Sequence, residues 1–152
     1  MRLAGPADAA TLARLRYSFR AEIGHVTEAE ADFLPRCEKW MRQRLGPTSP
    51  WRCWVVEADG GVVGQLWAQR IEKLPNPVSE LEHHAYITNV YVAPERRGEG
   101  LGTRLLEAAL AWIRSQDIDA VVLWPTARSR TLYARYGFVE RGDCMERRAS
   151  SG

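Results

Sequence analysis

Val90-Tyr91-Val92-Ala93-Pro94-Glu95-Arg96-Arg97-Gly98-Glu99-Gly100-Leu101-Gly102-Thr103 runs from an apolar strand, through a basic glycine-rich turn, into an amphipathic helix. A junction of this kind makes a backbone cradle for a diphosphate. Glycine lets the chain come close to an anion. Free N–H groups at a helix start point at it, and the helix dipole favours its charge. Three anion-binding motifs compete for the turn. A nucleotide P-loop needs Gly-Lys followed by Ser or Thr, whereas Thr103 follows Gly102 directly. A dinucleotide fingerprint needs G-x-G-x-x-G and an acid at the end of the next strand. Gly98, Gly100 and Gly102 are spaced differently, and Leu123-Trp124-Pro125 brings no carboxylate. The third motif, R-x-x-G-x-G, fits Arg97, Gly100 and Gly102.

The flanking segments read as alternating elements. Arg2-Leu3-Ala4 reads as a short first strand, and Asp8 as the N-cap of a helix with Leu12, Leu15, Phe19 and Ile23 on one face. Thr27 and Glu30 have capping-box spacing. The helix after them should turn Phe33, Leu34, Cys37, Trp40, Met41 and Leu45 inward, with Pro35 kinking or dividing it. Residues 51–58 and 62–71 flank Asp59-Gly60, a strong hairpin turn. Residues 85–92 and 120–124 read as buried strands on either side of the helix that carries Leu101, Leu105, Ala109, Trp112 and Ile113. That order implies a right-handed parallel crossover. Residues 128–136 read as a short helix stopped by Gly137, and Phe138 should begin a final strand or hairpin near Cys144-Met145. The sum is a mixed α/β (α+β) fold, its sheet antiparallel first and parallel at its centre.

A chain of 152 residues with 45% apolar content reads as one domain, 1–152, with 147–152 a frayed tail. No apolar run approaches a bilayer span, and Gly5-Pro6-Ala7-Asp8 interrupts any signal-peptide core, so a soluble chain is expected, with no membrane partner. Cys37, Cys53 and Cys144 are odd in number and widely spaced, which suits the reduced cytoplasm and offers no metal-ligand pair. A net charge of +2 is too small to imply nucleic acid.

A second signature, Leu132-Tyr133-Ala134-Arg135-Tyr136-Gly137-Phe138, lies about one strand beyond the glycine turn. Together the two motifs resemble the GNAT superfamily of N-acetyltransferases, as does the element order over essentially the whole chain. The resemblance implies a GNAT-like central mixed sheet of six to seven strands with about four helices. It implies acetyl-CoA as cosubstrate, with the diphosphate over Arg97, Gly98, Glu99, Gly100, Leu101, Gly102 and Thr103. The pantetheine arm would lie along Val90, Tyr91 and Val92, with the Val90 backbone N–H polarising the thioester carbonyl. Arg96 would meet phosphate from the rim. Tyr133 corresponds to the tyrosine that protonates the departing thiolate, and Tyr136 reads as packing.

The chain departs from the family pattern in two places. Tyr86 stands where many members carry a glutamate base, which leaves His84, two residues earlier on the same strand face, or a water chain to take the proton. Thr126 and Ala127 stand where an asparagine often meets the cofactor arm, so the hydroxyl of Thr126 or Ser129 is the expected substitute. The implied acceptor is a small-molecule or peptide amine, met by the N-terminal helices and the loop before the cofactor strand. Tyr17, Phe19, Glu22, His25, Glu28, Glu30, Asp32, Trp40 and Trp67 are the candidates there. The acids among them either hold a cationic amine beside aromatics or form a solvated first turn that complements the helix dipole. The three cysteines sit in no Cys/His arrangement, so direct transfer is expected rather than a covalent acetyl-enzyme. The rival is a non-catalytic acyl-CoA-binding sensor of the same fold. Members of the family often pair, so a homodimer is among the expected assemblies.

Overall fold

The structure is a computed structural model and describes residues 1–147. In chain order it runs β1 (Arg2–Leu3), α1 (Ala9–Glu22), α2 (Glu30–Arg44), β2 (Trp51–Ala58), β3 (Gly61–Glu72), β4 (His83–Val92), α3 (Leu101–Arg114), β5 (Ala120–Val122) and α4 (Arg130–Arg135). Asp59 and Gly60 take φ of 51° and 79°, the left-handed pair that a two-residue hairpin needs, and they join β2 to β3. The sheet order is β1-β2-β3-β4-β5. The first three pairings are antiparallel, and β4–β5 is parallel across the α3 crossover.

Helices cover both faces. On one, Leu101, Leu105, Leu106, Ala109 and Ile113 of α3 pack with Tyr133 of α4 against Trp54, Leu66, Ala68, Ala85 and Ile87. On the other, Ala9, Leu12 and Ala13 of α1 and Met41 of α2 pack on Cys53, Val55 and Trp67. A buried amide locks that second face. Gln65 Nε2 donates to the Leu12 carbonyl at 3.0 Å, and the Trp67 indole N–H donates to Gln65 Oε1 at 2.8 Å.

Several expectations change. The sheet has five strands among the described residues, not six to seven, and its parallel pair lies at the edge rather than the centre. Residues 138–147 form no strand, because Phe138 turns back onto the Tyr133 ring at 5.6 Å. Strand β5 stops at Val122 rather than 124; Pro125, which has no N–H to offer a ladder, follows closely. The Asp8 carboxylate does not cap α1. It accepts from the Gly5 N–H at 2.8 Å and pairs with Arg2 at 2.8 Å, closing the turn before the helix. Ala29, not Thr27, holds the N-cap position of α2, and α2 stays one element through Pro35, its sixth residue. The expected tail at 148–152 lies outside the described residues.

Candidate active site

Strand β4 changes faces at Asn89. Its φ is 54°, and the register against β3 slips between Trp67↔Thr88 and Gln65↔Tyr91. One extra residue on β4 makes a bulge. Ala85 and Ile87 lie in the core under α3, and beyond the bulge Val90 and Val92 pack there instead. Gly64 permits the close approach opposite, since a Cβ there would stand 2.9 Å from the Tyr91 carbonyl oxygen. Strand β5 pairs with β4 only from His84↔Ala120 to Tyr86↔Val122. Past that point the two strands fork, leaving an edge of β4 with backbone donors and acceptors of the kind an extended amide chain can pair with.

The glycine turn lies at the end of this edge. Gly98 and Gly100 take φ of 82° and 73°, conformations that a Cβ opposes. Gly102 has ordinary helical backbone, and nothing lies within 4 Å of where its Cβ would stand. The N–H groups of Leu101, Gly102 and Thr103 precede the first i→i−4 bond of α3, which Arg104 N–H makes to the Gly100 carbonyl at 3.1 Å. Arg97 Nε donates to the Val92 carbonyl at 3.0 Å and so fastens the turn to the strand. Its Nη2 lies 2.6 Å from Glu22 Oε2, and Arg128 Nη1 lies 3.2 Å from Glu22 Oε1. One carboxylate from the end of α1 thus holds two guanidiniums, and Arg97 keeps its pKa below the usual carboxylate range.

The second signature is a helix stop that aims a phenol. Phe138 N–H bonds the Tyr133 carbonyl at 3.2 Å and Gly137 N–H the Ala134 carbonyl at 3.1 Å, with Gly137 at φ 82°. This is a Schellman motif, and the Phe138–Tyr133 ring contact is its apolar clasp. Tyr133 is 7% exposed. Burial pushes its phenol up to about 12, with the Ser129 hydroxyl opposing the shift.

A cavity of about 390 Å³ gathers these parts. Of the residues expected to hold the cofactor, Val90, Tyr91, Val92, Arg97, Gly98, Gly100, Leu101, Gly102, Thr103, Ser129 and Tyr133 line it. Glu99 does not; it lies 3.5 Å from Arg96, which also pairs with Asp59 at 3.2 Å. His84 does not either. It stands at the other end of β4, its Nε2 3.8 Å from Asp119 Oδ2, so the strand separates it from Val90 by about 20 Å at the usual rise per residue. Sequence reasoning missed Arg128 and Arg135, which join Arg96 and Arg97 around the cavity with no Asp or Glu among the lining residues. The signal was the arginine run at 128–135, which carried no hint of its place.

A second cavity of about 580 Å³ opens on the opposite face, between α1, α2 and the sheet. Trp40, Trp51 and Trp67 cluster there, their ring centroids 5.4 to 6.1 Å apart. Thr88 and Asn89 line it, directly before the Val90 that lines the first. The two cavities are therefore lined by neighbouring residues of β4 at the bulge. Of the acceptor candidates, only Trp40 and Trp67 reach it. Glu28 turns to Arg36 and Glu22 to Arg97.

Comparison with known proteins agrees with this architecture. Residues 18–138 match the acetyltransferase (GNAT) family, and the chain belongs to that family. A GCN5-related N-acetyltransferase from Ralstonia eutropha JMP134 superposes with a TM-score of 0.82 at 27% identity, covering 98% of this chain and 97% of that one. A predicted acetyltransferase from Clostridium acetobutylicum, solved with acetyl-CoA, has a TM-score of 0.83 at 22% identity, covering 97% and 94%. A mycothiol acetyltransferase of Beutenbergia cavernae is 31% identical over 105 residues, 64% of this chain and 32% of that protein. The chain thus spans about a third of that curated relative's length. Among the described residues no helix is long and apolar enough to cross a membrane.

Proposed function

We propose that the chain is an N-acetyltransferase that moves an acetyl group from acetyl-CoA directly to a primary amine of a small molecule or peptide. One observation carries the reading: the free β4 edge, the α3 N–H groups, four arginines and the Tyr133 phenol line one cavity. These residues fit coenzyme A. The guanidiniums and helix-start N–H groups suit its phosphates, the open space at Gly102 admits them closely, and the β4 edge suits its amide arm. Bound there, acetyl-CoA would supply an acetyl group activated as a thioester.

The chain's own groups divide the remaining work. The Val90 N–H polarises the carbonyl as charge builds on its oxygen. The amine nitrogen forms the new C–N bond, the C–S bond breaks, and Tyr133 gives its proton to the sulfur. The amine's surplus proton returns to Tyr133 through water. A phenol near 12 stays neutral across the working range and is ready to donate. Burial also raises the Cys37 thiol, which disfavours a thiolate and a covalent route. In a thermal-shift measurement coenzyme A and acetyl-CoA should raise the midpoint, and an amine library should release free thiol. Folded protein that shows neither a shift nor binding heat at millimolar coenzyme A overturns the reading.

A further inference from the structure

We propose that the cavity under α2 takes an acceptor amine that also carries a carboxylate on a bulky apolar body, an aromatic amino acid being the simplest case, with Arg16 meeting the carboxylate. The inference rests on the acetyltransferase reading and names the substrate class for it.

Arg16 follows Leu12 and Ala13 on the inward stripe of α1, yet it is charged. Its Nη1 donates to the Asn89 side-chain oxygen at 3.3 Å, at the bulge itself. Among the described residues no carboxylate lies within ion-pair reach of it, and the ionisable groups that bear on it are Arg20, Cys37 and Tyr86. A half-buried cation without a counter-charge is costly unless a ligand supplies the anion. Arg36, the other cation at the cavity, is already satisfied by Glu28. Apart from Asn89, the rest of the lining is Phe33, Cys37, Met41, Tyr86, Thr88 and the three indoles, mostly apolar. Among the described residues no Asp or Glu lines the cavity, so a polyamine would find like charge and no partner there.

The test measures thiol release from acetyl-CoA with L-phenylalanine, phenethylamine and spermidine. Phenylalanine should exceed phenethylamine in kcat/KM by about 10- to 100-fold, the worth of a desolvated charge-assisted hydrogen bond, and spermidine should be poorest. Arg16→Met should lower phenylalanine kcat/KM and erase the preference, with the acetyl-CoA thermal shift retained; Arg16→Lys should restore part of it. Equal or better turnover of phenethylamine or spermidine overturns the inference but leaves the acetyltransferase reading standing. An equal loss for both amines in Arg16→Met also overturns it. If no amine turns over, calorimetry with the products decides: N-acetyl-L-phenylalanine should bind and N-acetylphenethylamine should bind far less, and no difference overturns the inference. Loss of the acetyl-CoA shift in the parent chain would instead remove the reading beneath it.

Discussion

The cleft at the start of α3 and the cavity under α2 lie on opposite faces of β4 and are lined by neighbouring residues, Val90 in one and Asn89 in the other, but they are built differently. The cleft is mostly backbone: a strand edge left open by a fork, two left-handed glycines and the N–H groups of a helix start. Its side chains supply charge around a shape that the main chain already makes. The cavity is mostly side chain: indoles from α2, β2 and β3 and a guanidinium from α1. A backbone site suits a ligand shared by many relatives, because most substitutions leave it intact. A side-chain site changes with each substitution, which suits the partner that distinguishes one relative from another.

The difference can be tested from the largest effect downward. Tyr133 is the one side chain in the cleft given chemistry to do. Tyr133→Phe should slow turnover by about 10²-fold, with coenzyme A affinity unchanged by calorimetry; unchanged single-turnover rates would remove its acid role. On the other face, Gln65→Leu leaves the buried Trp67 indole N–H without its acceptor. It should lower stability by about 1–3 kcal/mol in urea unfolding. A smaller loss would mean that α1 is held on the sheet by other contacts.

Gly102→Ala tests whether the cleft is shaped for a ligand rather than for folding. Alanine suits a helix better than glycine by up to about 1 kcal/mol, and the space at this position is open. Stability should hold or rise while coenzyme A affinity falls by about tenfold, the equivalent of one lost backbone contact. Parallel losses of stability and affinity would make the glycine structural.

A separate effect is alkaline. The Tyr133 phenol is raised to about 12 in the fold against about 10 when unfolded, so the native state holds the proton more tightly. This contribution is complete below pH about 10 and is lost as the pH rises toward about 12. The urea midpoint should therefore fall over that span, and less steeply in Tyr133→Phe.

The two sites also differ in how much of each the sequence discloses. The cleft is written in two local stretches. In the first, the glycine spacing states where backbone turns left-handed and where it starts a helix. In the second, Gly137 and Phe138 complete a helix stop around Tyr133 that spans only a few residues. Such features need no knowledge of distant contacts. Asn89 and Gly64 were visible too, an asparagine inside an apolar strand and a glycine inside its neighbour. Only the pairing of β3 with β4 shows that they face one bulge. The strand count was overestimated because apolar residues beyond Gly137 suit either a strand or a clasp, and the ring contact between Phe138 and Tyr133 settles it. Of the α2 cavity the sequence offered Trp40 and Trp67, while Arg16 and Trp51 join them only through tertiary packing. Of the acidic residues near α2, Glu28 pairs with Arg36, a partner that sequence spacing alone does not disclose.

The indole trio at the second cavity makes the unmodified chain its own optical reporter. Rings whose centroids lie 5.4 to 6.1 Å apart couple electronically, so excitation of one is shared with the others. Anything that enters among them shifts their emission and their near-ultraviolet dichroism together, and occupancy of this chamber can be followed by spectroscopy without a dye.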